Sequence, residues 1–363
     1  MSRPLSPAAF PRLSPALEIR LDHGLSAGID AVAQAARPQH RFLRYGWFAA
    51  ALAAYGGEAR TLTVSRDGEA AIALPMVRLG PGWAGVAAVP GCYWPYRSFP
   101  AREDVGLETF EALFGGLGRA VRALRIGPIY DDDPTLCQMR RAADALGWRT
   151  LDRFVADSYL LDMAEKRVEG IWPRKSTLKK NRFHEKHLGN HGALDWSFAS
   201  GADWTDALFD DLAAVEQASW IAAETDGRDA KFTRRGHGAF WRTAAADPVL
   251  ADMMWAAVLR VDGRPAAFSF DLNLGALKHA VANSFDPAFA KHSPGRLLYY
   301  RNLIRALGDG ITTVDWGAGD SGYKSVIGAQ KGPAIRDWLF VKPGLPAIAA
   351  TLLRRTWKHS GQG

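Results

Sequence analysis

Residues 293–324 read SPGRLLYYRNLIRALGDGITTVDWGAGDSGYK. The stretch contains a helix start, an amphipathic helix, a stop, a short buried strand and a glycine-rich polar loop. Ser293 suits an N-cap and Pro294 the first helical position. Gly295 lets a bulky anion approach the backbone, and Lys291 and Arg296 flank it with positive charge. Gly308 closes the helix after Leu307. The next strand, residues 311–316, delivers Asp315 to its end, and Gly317, Ala318, Gly319 and Asp320 follow. A helix start beside a strand end is a ready anion site, so this arrangement predicts a phosphate-bearing ligand with chemistry at the neighbouring strand.

The segments upstream supply the rest of a sheet. Residues 253–261, 266–274 and 277–285 read as three antiparallel strands, the first two joined at Asp262-Gly263. In the second, Phe268, Phe270, Leu272 and Leu274 alternate with Ser269, Asp271 and Asn273, which predicts one apolar and one polar face. Residues 204–220 carry Trp204, Leu208, Leu212 and Val215 at helical spacing. The first half also alternates: helices over 41–55, 105–124 and 136–146, and strands over 59–65, 70–79, 125–130 and 158–161. No internal repeat shows in the letters, yet both halves share an outline of helix, strands, helix and strand. The fold class is therefore α/β, an α+β mixed sheet. The expected divisions are a flexible lead-in over 1–17, lobes over 18–165 and 166–341, and a basic amphipathic tail over 342–363.

Composition agrees with a globular chain of about two domains. Of its 363 residues, 48% are hydrophobic and 23% charged, and the formal net charge is +7. No apolar run approaches the roughly 18 residues that span a bilayer. Residues 1–15 hold four prolines and no long apolar core, which does not read as a signal peptide. Cys92 and Cys137 are the only cysteines, so no disulfide framework or cysteine-zinc site is indicated, and cytoplasmic residence is expected. The excess positive charge favours an acidic partner, such as a nucleotide cofactor, an anionic membrane surface or nucleic acid. Residues 166–186 concentrate it, with Trp172 and Phe183 interleaved. A solvated helix face explains the run as well as contact with a phosphate or head group does. His184, His187 and His191 lie in or beside this run without an HExxH pattern, and no metal site is expected. Among thirteen tryptophans, Trp94, Trp172, Trp220 and Trp357 could line a groove, although core packing is the simpler reading.

The order of strand, anion-ready helix start, helix and acid-ended strand resembles the GNAT acyltransferase core. SPGRLL followed by VDWGAGDSGYK is similar to the C-terminal signature of the CelD/BcsL-type GNAT acyltransferases, relatives of the FemABX peptidyltransferases, with Trp316 in place of the usual Phe. Tyr45-Gly46-Trp47, Leu74-Pro75, Tyr93-Trp94-Pro95-Tyr96 and the basic run at 175–182 extend the likeness over roughly residues 40–340. The resemblance implies two GNAT-like lobes in tandem, mixed central sheets flanked by helices, with acyl-CoA or acetyl-CoA as co-substrate on the second. It places the thioester between strands 277–285 and 311–316. Ser293, Gly295, Arg296 and Leu297 would meet the pyrophosphate, joined by Lys291 and Asn283 as cofactor contacts. The chain departs from the Arg/Gln-x-x-Gly-x-Gly/Ala pattern of GNAT enzymes, because Pro294 removes one N–H donor.

The chemistry implied is attack of an amine on a thioester. The residue types allow His279, Asp315 or Asp320 as proton acceptor. Tyr323 would protonate the departing thiolate, and Lys324 would bind a phosphate or hold Asp320. Each residue also has a structural role open to it. Asp315 is suited to capping the loop at 317–319, His279 to a polar strand face, and Tyr323 to ordinary packing. The acceptor implied is an amine of a lipid, such as a sphingoid base, or of a cell-envelope or exopolysaccharide precursor. The alternatives are an aminoacyl-tRNA donor, as in FemABX relatives, or a non-catalytic scaffold at a membrane or polysaccharide synthase. DNA is not an expected partner. The tail at 345–358 reads as a short amphipathic helix, either packed on the domain or resting peripherally on an anionic inner-membrane face. Residues 93–99 could shape an acyl groove.

Overall fold

Twelve strands form one continuous sheet in this computed structural model, which describes residues 16–92, 96–170, 172–219, 230–234, 236–320, 322–344, 346–350 and 357. The expected lead-in up to residue 15, residues 93–95 of the aromatic loop, Trp220, and the tail at 345, 351–356 and 358–363 lie outside the described residues.

In chain order the strands are β1 (Leu17–His23), β2 (Ala59–Arg66), β3 (Glu69–Arg78), β4 (Val86–Ala88), β5 (Ala123–Tyr130), β6 (Arg149–Asp162), β7 (Leu194–Ala199), β8 (Met254–Val261), β9 (Arg264–Leu274), β10 (Leu277–Phe285), β11 (Thr313–Ala318) and β12 (Gln330–Val341). Across the sheet they run β1-β2-β3-β4-β5-β12-β6-β11-β10-β9-β8-β7. Counted from one edge, five consecutive strands are followed by β12 and β6; from the other, five are followed by β6 and β12. Two lobes of one topology thus share the central pair, and each lobe is completed by the final strand of the other. In both lobes the fourth and fifth strands are parallel, β4 to β5 and β10 to β11, while the pairs around them are antiparallel.

This exchange was not visible in the sequence. β6 is fourteen residues long where a short strand at 158–161 was expected, and β12 had no expectation attached. β12 carries Pro333 and Gly332 near its start, and its register with β6 shifts between Lys331 and Ala334, which dilutes the alternating pattern. The helix expected at 105–124 ends at Ala120, because β5 begins at Ala123. The strand expected at 311–316 is displaced to Thr313–Ala318.

The largest core cluster crosses between the lobes. Helix Tyr45–Tyr55 of the first packs on helix Gly238–Ala244 of the second, and the Trp47 ring lies edge-on to Phe240 at 4.8 Å and to Trp241 at 5.8 Å. Trp47 is 1% exposed, and removing so large a buried ring costs about 3–5 kcal/mol. β9 shows the expected alternation, but its polar side is not in water. Phe268, Phe270 and Leu272 enter the main core, while Ser269 and Asp271 are buried beneath helix Pro294–Gly308. There Asp271 Oδ2 accepts from Lys278 Nζ at 2.9 Å and Asn302 Nδ2 at 2.7 Å. Burial lowers the Lys278 pKa, and Asp271 opposes that shift. This buried ion pair ties β9, β10 and the helix into one unit.

Candidate active site

The second lobe opens where its parallel pair parts. β10 and β11 stay in register through Leu277–Thr313, Lys278–Val314 and His279–Asp315, and no further. β10 also bulges against β9 between Ala280 and Ala282. Beyond that vertex lies a cavity of about 650 Å³, walled by residues 280–285 of β10, Trp316, 318–320, Tyr323 and Lys324, with Glu216 and Lys231 opposite.

At the anion end, helix Pro294–Gly308 points its N-terminus past Phe285. A Cβ on Gly295 would stand 3.2 Å from that ring, so glycine suits the approach. Ser293 does not cap the helix. It sits in the left-handed region at φ 52° and makes no side-chain cap bond, which corrects the expected N-cap. Leu297 donates its N–H to the Ser293 carbonyl at 3.1 Å and buries its side chain, so its N–H is not available to a phosphate. With Pro294 lacking a donor, Gly295 and Arg296 carry the free first-turn N–H groups. The Nε and Nη2 of Arg296 are buried without hydrogen-bond partners. Two buried guanidinium donors left so have room for an anionic partner that the described residues do not supply. His184 lies nearby: burial and then the positive fields of Arg296 and Lys180 lower its pKa. Lys291 is exposed at the same end.

At the reacting end, the candidate residues divide between two faces of the sheet. His279 and Asp315 are 3% and 4% exposed, with Nδ1 to Oδ2 at 3.4 Å. They face a second cavity, about 340 Å³, between the lobes. Its first-lobe wall includes Arg37, His40, Tyr96, Tyr130, Asp132 and Asp133. Burial raises the Asp315 pKa, but His279, Tyr130 and the Gly317 N–H outweigh it and hold the carboxyl below its ordinary value. Asp315 Oδ1 accepts from Gly317 N at 2.7 Å, so the carboxylate caps the loop and pairs with His279 together. On the first-lobe side Asp133 is held low against its own burial by His40, whose Nε2 is 2.8 Å away, and by Tyr96. Burial raises the Tyr130 pKa, and Asp315 adds to the rise.

Tyr323 instead faces the splay cavity. Its hydroxyl accepts from Asn283 Nδ2 at 3.3 Å, which links the two sides of the opening. Burial raises its pKa, so it remains a proton donor. Lys324 and Asp320 act differently from expectation. Lys324 Nζ donates to the carbonyls of Trp316 at 2.7 Å, Ala318 at 2.9 Å and Gly319, holding the glycine-rich loop. Asp320 accepts from Gly322 N at 2.7 Å, Lys324 N at 3.1 Å and Ser325 Oγ, fastening the start of helix Tyr323–Ile327. Both shape the loop. The ammonium meets carbonyls in place of a phosphate or Asp320, and the carboxylate is occupied as a cap.

Glu216 escaped the sequence reading. Its two oxygens accept from Lys231 N and Phe232 N, each at 2.8 Å, and burial raises its pKa. The only signal was a lone acid on the apolar face of helix Asp206–Ala218. Of the candidate groove aromatics, Trp172 is buried against Tyr300, Trp357 packs beside Arg153, Tyr96 lines the interlobe cavity and Phe99 is in the core. Among the described residues no group of three or more His, Cys, Asp or Glu side chains could hold a metal, and no helix is long and apolar enough to cross a membrane.

Residues 175–325 match the family model of an acetyltransferase (GNAT) domain. That domain is the splayed unit just described, and it makes the chain a transferase enzyme. The fold has counterparts among solved structures. FemX is 13% identical over 92% of this chain and 100% of its own, with TM-score 0.61. The C-terminal domain of a putative lysylphosphatidylglycerol synthetase from Agrobacterium fabrum is 14% identical over 90% and 95%, with TM-score 0.53. A conserved protein of unknown function from Bacteroides thetaiotaomicron is 10% identical over 89% and 100%, with TM-score 0.55. At these identities the likeness is one of fold. No curated protein matches the sequence.

Proposed function

We propose that the chain is an acyl-CoA-dependent N-acyltransferase of the CelD/BcsL type, with donor and acceptor on opposite faces of the second lobe's sheet. The observation that carries this reading is the open splay between β10 and β11, with the unpartnered Arg296 at one end and the His279–Asp315 pair at its vertex. The phosphates of a CoA thioester meet Gly295, Arg296 and the basic edge at Lys180 and His184. The pantetheine arm fills the splay, and the thioester carbon reaches the vertex.

The acceptor amine enters from the interlobe cavity. Its nitrogen attacks the carbonyl carbon, the C–N bond forms, and His279, held by Asp315, takes the amine proton. The C–S bond then breaks, and Tyr323 on the donor face protonates the departing thiolate. His279 sits on β10 and lines the interlobe cavity, whereas Tyr323 starts helix Tyr323–Ile327 and lines the splay cavity, so base and acid lie on different cavities. Asp132 lies exposed on the rim of the interlobe cavity, and its carboxylate suits an incoming ammonium, which gives one proton to solvent there before the neutral amine attacks. A lipid or cell-envelope amine is the acceptor class that the family resemblance suggests.

One feature favours a second donor. Pro294 leaves the phosphate-facing turn one N–H short of the usual GNAT pattern, which suits an aminoacyl ester of tRNA as well as CoA. Thermal shift across an acyl-CoA chain-length series separates the two. Stabilisation by at least one CoA thioester, with thiol release when an amine is supplied, is expected. Stabilisation by aminoacyl-tRNA and by no CoA species would establish the second donor instead.

A further inference from the structure

Helix Lys175–Leu188 turns one face to the protein and an unusual face to solvent. Leu188 and Asn181 are buried, and Thr177 bonds Tyr300 of helix Pro294–Gly308. At about 100° per residue, Lys175, Lys179, Arg182 and Lys186 fall within roughly 60° of one another on the opposite side. All four are exposed. Spaced over eleven residues at about 1.5 Å each, they form a straight row roughly 16 Å long. The one acid of this helix, Glu185, is taken up by Arg301. Among the described residues none of the four cations is paired with an acid. Phe183 stands beside the row, 60% exposed, on the side toward His187. Val168, 90% exposed, ends the preceding short helix just after Lys166 and Arg167.

A single exposed apolar side chain is ordinary, but here it stands beside a row of unpaired cations. An exposed phenyl beside an unneutralised cationic row matches an interface that is anionic at its surface and apolar just beneath. We propose that this face docks the enzyme onto an anionic lipid bilayer, with the row on the head groups and Phe183 dipping between them. Three of the four cations are lysines, point charges on flexible stems that suit laterally mobile head groups, whereas the rigid fork of arginine is the better match to fixed nucleic-acid phosphates. The row is distinct from the edge of the same helix that carries Lys180 and His184 toward Arg296, so docking leaves the thioester site accessible. The inference does not depend on the transfer reaction.

Co-sedimentation of the full chain with extruded vesicles tests it. Binding to phosphatidylglycerol-containing vesicles and none to pure phosphatidylcholine is expected, weakening as salt is raised. Each cation neutralised should lower the partition coefficient about five-fold, so the combined Lys175→Gln, Lys179→Gln, Arg182→Gln and Lys186→Gln variant should lose several hundred-fold. Phe183→Ser should cost about ten-fold or less in binding, most visibly at high salt where the charges are screened. Both variants should keep the wild-type melting temperature and its shift with acyl-CoA, because all five positions are exposed. The proposal is overturned if wild-type protein ignores anionic vesicles, or if the four-fold variant sediments like wild type. It is equally overturned if the row drives retention on RNA with no vesicle binding.

Discussion

The two lobes have one strand order and opposite interiors. In the second, β10 and β11 part around a cavity of about 650 Å³. In the first, the corresponding gap between β4 and β5 is filled by the chain itself. Val89 donates to the Arg125 carbonyl at 3.2 Å, Arg97 N donates to the Pro128 carbonyl at 2.9 Å, and Gly127 N donates back to Arg97 at 3.0 Å. The same segment then bonds β3, where Arg102 N donates to the Ala71 carbonyl at 2.9 Å. Backbone hydrogen bonds that the second lobe can offer to a ligand are thus satisfied internally in the first. The helix starts differ likewise. Pro294–Gly308 begins between Lys291 and Arg296, whereas Leu107–Ala120 follows Glu103 and Asp104 and carries Glu108 in its first turn. Acids at a helix N-terminus satisfy its positive end and repel a phosphate. The topology therefore does not make the site; the emptiness of one splay and the charge at its helix do.

The contrast breaks most visibly in the chemistry. His279→Ala should lower kcat by about 10²–10⁴-fold with acyl-CoA affinity retained, as expected for loss of a proton acceptor. Arg97→Ala, in the filled splay, should change kcat less than about three-fold. Equal kinetic losses in both variants would show that the first lobe shares in catalysis.

A smaller effect concerns the strand that holds the site. Asp271→Ala leaves the Lys278 ammonium buried without its carboxylate and should destabilise the fold by about 3–5 kcal/mol in urea unfolding. Arg97→Ala removes a guanidinium bonded to the Cys92 carbonyl at 2.9 Å, and about 1–3 kcal/mol is expected. An Arg97→Ala loss exceeding that of Asp271→Ala would contradict the greater weight given to the buried Lys278–Asp271 pair.

The smallest expected effect is in acid. The folded chain holds Asp133 and Asp315 below their ordinary value of 3.8. A carboxyl held low stabilises the fold above its unfolded value, and that contribution is lost as pH falls through its folded value. The melting temperature of the wild type should therefore drop more steeply below pH 3.8 than that of Asp133→Asn. Parallel curves would remove the first-lobe His40–Asp133 pair from the stability account.

Most of the second lobe was legible because local signals coincide there. β9 alternates, Asp262-Gly263 turns, and Pro294 and Gly308 bracket a helix. That order singles out His279, Asp315 and Tyr323 as candidates, but does not show that the first two line one cavity and Tyr323 another. The exchange of β6 and β12 was hidden because strand partners far apart in sequence leave no local mark. The loop-holding roles of Lys324 and Asp320 are hidden for a related reason. A charge beside a glycine-rich loop looks the same in sequence whether it meets a ligand or the loop's own carbonyls and N–H groups. Glu216 was hidden by its partners, the backbone N–H groups of Lys231 and Phe232, which have no sequence signature.

The central claim is that the open splay of the second lobe, and no other place, holds a CoA thioester. Isothermal titration of the full chain with acetyl-CoA tests this directly, beside an Asn283→Trp variant whose exposed position lets the indole fill the cavity from β10. One site per chain in the wild type, and none in the variant at unchanged melting temperature, is the predicted result. Two sites per chain, no binding by the wild type, or undiminished binding by Asn283→Trp would contradict it.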